Sequence, residues 1–388
     1  SSDVCSSDLP VNRSLNFIAS NVERMTRNTR HFEIPAETGR TEVDREVIAR
    51  TLIGLMNNAN VGGIVLLAVK SGAGSAYKNM CAERFEEEAR KTGKPFRIVY
   101  LTNVGGSYNM LGETLRLTRE VLLEVSDFRR ENCPLSALTL GVKCGTSDAT
   151  SGIAGNPCVG AAFDQLIRAG GTAFFSETTE IIGAEDLVAK RAVNETVAKK
   201  ILSAAKHWED KAKATGEDIR KINPIPANIA AGISSLEEKS LGAIAKSGTS
   251  PIQDVLQYAE MPKGSGLYFV DSWMSSLSLP LCLTACGATI MLYQMGGGKI
   301  AQHPMMPSIN PTVVSPFLYL TGNAIAYSRA PDNFDFDASP IMTEGASIPE
   351  MGTKLLEHLS AIASGTMTKM ETLNYAEQLE LYMEGPVL

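Results

Sequence analysis

Apolar residues along the chain alternate between two periods. Val43, Val47, Ile48, Leu52 and Leu55 recur at helical spacing, which predicts a helix over 43–56, and the unbroken run 63–69 that follows reads as a buried strand. The same alternation continues. A charged helix over 77–91, a strand over 96–101 and a helix over about 112–128 complete a first group of elements. A Pro in a polar cluster, Glu131-Asn-Cys-Pro134, marks a boundary. Past it, 136–142 reads as a strand, Asn156-Pro157 opens a helix that closes at Gly170-Gly171, and 172–175 is the next strand. A single long amphipathic helix is expected from about Leu187 to Gly216, with further strands at 267–270, 289–293 and 317–320.

Strands alternating with helices predict an α/β protein with doubly wound, mainly parallel sheets in two Rossmann-like domains. The expected domains are 10–132 and 133–388. Residues 1–9 repeat Ser-Ser-Asp and resemble a translated adapter, so they are set aside and the native start is expected to be missing. Without them the charged residues number 36 basic against 41 acidic. An acidic balance with no basic run argues against a nucleic-acid partner, and no apolar stretch approaches the roughly 20 residues of a membrane span. The seven Cys have no close-spaced pairing, so free thiols and a cytoplasmic setting are expected.

In open α/β sheets ligands bind beyond the carboxyl ends of the strands. Four loops there are chemically unusual. The first is 143–156, where the backbone of a Gly- and Ser-rich segment, with Gly145, Ser147, Ser151 and Asn156, could cradle an anion at a helix N-terminus. Lys143 adds charge, and in such a field the Cys144 thiol is expected to have a lowered pKa and to serve as nucleophile or metal ligand. A glycine-rich connection with an inert buried thiol fits the composition equally well. The second loop carries Glu177 and Glu180, a pair suited to a hard cation or to acid–base work. The third carries Asn223 and Asn228, and Ser234 with Glu237, or Ser235 with Glu238, reads as a capping box. The fourth joins Asp271 and Ser272 to 295–303, where three glycines, Lys299 and His303 stand together. His31, His207 and His358 sit in ordinary contexts. Gly72-Ala-Gly74 lacks the third glycine of a dinucleotide fingerprint, since position 77 is Tyr, so a nicotinamide oxidoreductase is a remote alternative.

Taken in order, Lys143-Cys-Gly-Thr-Ser-Asp-Ala-Thr-Ser-Gly152, Asn156-Pro157, Glu177-Thr-Thr-Glu180, Gly183-Ala-Glu185, Asn223-Pro224, Leu236-Glu-Glu-Lys-Ser-Leu-Gly242 and Asp335-Phe-Asp-Ala338 resemble the altronate and galactarate dehydratase family, which includes the large subunit of sulfolactate sulfo-lyase. The resemblance implies a divalent-metal-dependent lyase, with Fe²⁺ ahead of Mn²⁺ and Mg²⁺. Such an enzyme removes a proton next to a carboxylate, expels the neighbouring group and yields a 2-keto acid. A metal on Glu177 and Glu180, with Cys144, would hold the enediolate, and Lys143 stands ahead of Asp148 as base. Water is the expected leaving group, with sulfite as the alternative and a non-catalytic subunit or binding module as another. The expected partners are a small hydroxy-carboxylate substrate, a separate small subunit and further copies of the chain. Ala227-Asn228-Ile229, Gly297 and Lys70-Ser71 depart from the sugar-acid enzymes, which points to a substrate unlike galactarate or to an impaired relative.

Overall fold

The computed structural model describes residues 8–32, 40–68, 80–297, 310–312, 314–373 and 380–385, with side chains from Ser14 onward. They form two compact units, Ser1–Asn132 with Gln378–Leu388, and Cys133–Glu377.

The first unit holds helices α1 (Asp8–Met25), α2 (Glu42–Asn57), α3 (Ala82–Lys91) and α4 (Ser107–Ser126) with the parallel strands β1 (Ile64–Ala68) and β2 (Phe96–Tyr100). Helix α1 was not expected from the sequence, and α4 starts a turn and a half before its expected position. Leu15, Ile18, Val99, Met110 and Leu117 form its core cluster. With two strands among the described residues, this unit is α/β but goes no further towards a Rossmann-like domain. Thr41 caps α2, and the Asp44 carboxylate accepts from the backbone amides of Glu384 (2.7 Å) and Gly385 (3.1 Å). The sequence-based division put this tail with the second domain. Lys70 and Ser71 lie outside the described residues.

The second unit is built on one seven-stranded, all-parallel sheet. Its strands are β3 (Thr139–Gly145), β4 (Thr172–Phe175), β5 (Ile252–Leu256), β6 (Gly266–Val270), β7 (Ile290–Met295), β8 (Phe317–Thr321) and β9 (Phe336–Asp337), in the order β5-β6-β4-β3-β7-β8-β9. The near-continuous apolar runs follow from burial on both faces. Helices α5 (Asn156–Arg168), α6 (Glu195–Ala214) and α10 (Ile348–Ala363) cover one face through Val159, Phe163, Leu166, Ile201 and Leu355. On the other face α8 (Ser278–Ala285) brings Leu283 against Gly141. Two more helices, α7 (Leu236–Ile244) and α9 (Ala324–Arg329), lie along connections that lead away from the strand ends.

Two boundaries differ from expectation. β3 extends to Gly145, so Lys143, Cys144 and Gly145 are strand residues rather than loop, fixed by pairing with Tyr293, Gln294 and Met295 of β7. The expected long helix is two, 185–189 and α6, because Asn194 accepts from Val197 N–H and starts a new helix. The chain leaves β3 towards β4 on one side and returns through β7 towards β8 on the other. The crevice beyond β3 and β7 is therefore the sheet's topological switch point.

Candidate active site

Side chains alternate across a strand, so Cys144 faces α5 while Lys143 and Gly145 point to the opposite face. Glu177, one residue beyond the β4–Ser176 end, spans both. Its backbone has φ 73°, a left-handed conformation that a non-glycine residue adopts at some cost, and it is buried. Thr146, just beyond β3, has φ 45°. Backbone strain therefore gathers at adjacent strand ends.

The Glu177 carboxylate is held by two ammonium groups. Lys143 Nζ stands 3.3 Å from Oε1, and Lys246 Nζ donates to Oε2 in a close contact. The Cys144 amide also donates to Oε2 (3.1 Å), and Lys246 lies 3.2 Å from Cys144 Sγ. Burial alone would raise the Glu177 pKa, but the two lysines outweigh it and hold the carboxyl below its ordinary value. For Lys143, burial opposes charge, yet the facing Glu177 carboxylate helps to outweigh it and the group stays an ammonium. Lys246 is raised against burial in the same way, by its ion pair with Glu177. Cys144 corrects the expectation of a reactive thiolate: burial, helped by the Glu177 charge, pushes its pKa up to about 11. It is a neutral thiol that donates to Glu177 (3.4 Å).

Around this centre the expected residues separate into groups. Glu180 pairs with Lys239 (3.2 Å), and Lys239 also donates to Asn223 Oδ1 (2.5 Å), which ties the second loop to the third. Asp148 accepts from Ser151 N–H (3.0 Å), Ser151 Oγ (3.3 Å) and Thr150 Oγ1 (2.6 Å) on one oxygen. Its other oxygen accepts from Gly297 N–H (2.5 Å) and Asn323 Nδ2 (3.0 Å). Five neutral donors make it a pin between loops. They also account for Gly297, where an added Cβ would meet Asn323 Nδ2 at 1.8 Å. Asn228 donates to the Ser147 carbonyl (3.0 Å) and Asn156 to the Gly242 carbonyl (2.8 Å), each leaving Oδ1 buried and without a partner. Asp271 accepts from Thr178 Oγ1 (2.7 Å) and Trp208 Nε1 (2.9 Å), and the Ser272 amide donates to Thr178 Oγ1, which latches this loop to β4's end. Lys299 and His303 lie outside the described residues.

Lys246 and Lys239 escaped the sequence reading. Both lie on the buried face of α7 and its following turn, with Leu236, Ser240 and Ala243 at helical spacing. Two lysines on an apolar face were the available signal, because buried lysines require partners. Ser235 caps α7 by accepting from Glu238 N–H, as expected, while the Glu238 carboxylate accepts from the Ser234 amide rather than from the Ser235 amide of a full capping box. Gln294, beside Cys144 in the register, is fully buried with neither carboxamide atom partnered.

The expected metal ligands do not fit a dication as they stand. Both Glu177 oxygens face ammonium groups, Glu180 is paired with Lys239, and the Cys144 thiol keeps its proton. Adding two positive charges beside three lysines is electrostatically unfavourable. Among the described residues no group of three or more His, Cys, Asp or Glu is placed to hold a metal ion. No helix among them is long and apolar enough to cross a membrane.

Comparison with known proteins places this arrangement. Residues 135–386 match the family described as D-galactarate/Altronate dehydratase, C-terminal, and residues 4–126 match D-galactarate dehydratase/Altronate hydrolase, second domain. The chain is 31% identical over 375 residues to (2R)-sulfolactate sulfo-lyase subunit beta of Chromohalobacter salexigens, covering 95% of this chain and 91% of that one. It is 34% identical over 283 residues to galactarate dehydratase (L-threo-forming) of Escherichia coli, covering 73% of this chain and 52% of that one. Altronate dehydratase of Bacillus subtilis is 30% identical over 345 residues, covering 89% and 65%. The chain thus spans most of the sulfo-lyase subunit and about half of the galactarate dehydratase.

Proposed function

The chain belongs to the D-galactarate/altronate dehydratase family, a family of lyases, and on that premise we propose that it eliminates water from a small 2-hydroxy carboxylate to give a 2-keto acid. The observation that carries this reading is the buried Lys143–Glu177–Lys246 cluster at the switch point of the sheet.

A proton next to a carboxylate is very weakly acidic, so removing it requires fixed positive charge where the enediolate develops. Lys143 and Lys246, both buried, supply that charge. Lys143, the expected base, stands protonated here, so its role is the positive donor, and Glu177 is the proton acceptor. A substrate carboxylate drawn to the two ammonium groups weakens their hold on Glu177, which raises its basicity when the base is needed. Asp148 is a positioning residue for the first and fourth loops. The unpartnered Oδ1 atoms of Asn156 and Asn228 are acceptors for substrate hydroxyls. No step runs through a metal.

A second reading is supported by the coverage of sulfo-lyase subunit beta. In it the leaving group is sulfite, and a separate small subunit completes the enzyme. One assay separates the two: aldonates, aldarates and sulfolactate are incubated with the chain, with and without added Fe²⁺, Mn²⁺ or Mg²⁺, and 2-keto acid and sulfite are read together. Keto acid without sulfite is the expected result. Equal amounts of both establish the second reading, and neither product on any substrate favours a non-catalytic subunit.

A further inference from the structure

Strand register places Tyr293 directly beside Lys143, on the face of the sheet away from Cys144. Lys143 Nζ lies 4.8 Å from the centre of the Tyr293 ring and 3.3 Å from Glu177 Oε1, so one ammonium touches both the carboxylate and the aromatic ring. Tyr293 is 4% exposed. Its hydroxyl meets Ser276 Oγ at 3.1 Å, on the segment between β6 and α8, and either oxygen can donate. With Ser276 donating, the phenolic proton is free to be given away. An added Cβ at residue 145 would stand 2.4 Å from Tyr293 Oη, so glycine is what leaves the hydroxyl its place. Gly145, expected to offer backbone to an anion, instead makes room for the Tyr293 hydroxyl.

We propose that Tyr293 is the acid that protonates the departing group, with Ser276 orienting its hydroxyl and Lys143 in contact with both this acid and the Glu177 base. The proposal rests on the water-eliminating reading. Glu177 takes the C2 proton, the C2–H electron pair forms the C2–C3 double bond, and the C3–O bond breaks with its pair onto oxygen. Tyr293 gives that oxygen its proton, so it leaves as water. The proton held by Glu177 restores the tyrosinate through solvent, and the enol becomes the 2-keto acid by gaining a proton at C3 and losing one from its oxygen. Hydroxide is a poor leaving group and needs this proton, whereas sulfite departs as a stable anion.

The test is Tyr293→Phe in the full chain, reading keto acid formation and exchange of the C2 hydrogen in D₂O on the same substrate. Elimination is expected to fall about 10²-fold or more while C2 exchange persists, because the base is untouched. Unchanged elimination overturns the proposal, as does a folded variant with native melting that loses exchange and elimination together. If Tyr293→Phe does not fold, the half-buried Ser276→Ala variant takes its place, with slower elimination and retained exchange expected and a native rate overturning the assignment. A native chain that releases sulfite, or that turns over no hydroxy acid, overturns the water-eliminating reading itself, and Tyr293's role falls with it.

Discussion

Glu177 and Asp148 are two buried carboxylates at the carboxyl edge of one sheet, and they are neutralised in opposite ways. Asp148 accepts five hydrogen bonds from neutral donors, whereas Glu177 is flanked by two ammonium groups on a strained backbone. Neutral donors hold a carboxylate in place and tie its neighbours together. Ammonium groups do that too, but they also present positive charge to any anion that arrives. Burial alone therefore does not mark a catalytic carboxylate; the kind of partner does.

The largest effect should come from breaking the charged cluster. Lys246→Ala leaves a buried carboxylate with one of its two cations removed, and a loss of folding free energy of about 3–5 kcal/mol is expected in denaturant titrations. A change under about 1 kcal/mol would mean that Lys143 alone suffices. Next comes Asp148→Ala, which strands the Gly297 amide and the Asn323 carboxamide. It should cost about 1–3 kcal/mol and raise KM more than it lowers kcat. An equal loss in kcat would move Asp148 from positioning to chemistry.

The comparison extends to a third carboxylate. Asp164, in α5, accepts from the amides and hydroxyls of Thr249 and Ser250. Burial alone would raise its pKa, but those bonds outweigh it and hold it below the ordinary carboxylate value. A depressed folded-state pKa contributes stability that is present above the unfolded value of 3.8 and is lost as pH falls through the folded pKa. Asp164→Asn should therefore flatten the acid limb of melting temperature against pH below about pH 4. An unaltered limb would assign the acid sensitivity elsewhere. Smallest of all is Cys144→Ser. With the thiol pushed up to about 11, alkylation at neutral pH should be slow and turnover should stay within a few-fold of native. Rapid alkylation would restore the thiolate.

Much of the second unit's fold was legible, because strands buried on both faces leave uninterrupted apolar runs, as at 172–175, 267–270 and 317–320. The end of β3 was misread because Lys, Cys and Gly carry no strand signal. Only pairing with β7 extends the strand through them. In the site, Glu177 stood out as an acidic residue at a strand end. Lys246 did not, since its partner lies 69 residues away in sequence. Tyr293 was invisible as chemistry, because an aromatic in a strand reads as core until its hydroxyl is located. The reactive-thiol expectation for Cys144 failed for a physical reason: a positive field lowers a thiol's pKa only where desolvation and a neighbouring carboxylate do not outweigh it.

The most direct test sets Glu177→Gln beside Asp148→Asn on whichever hydroxy acid the native chain turns over, with melting curves recorded for both. Glu177→Gln is expected to fold and to lose at least about 10²-fold in turnover, and Asp148→Asn to keep most of its kcat. A Glu177→Gln variant with near-native turnover, or an Asp148→Asn variant that folds and is inert, would contradict this expectation.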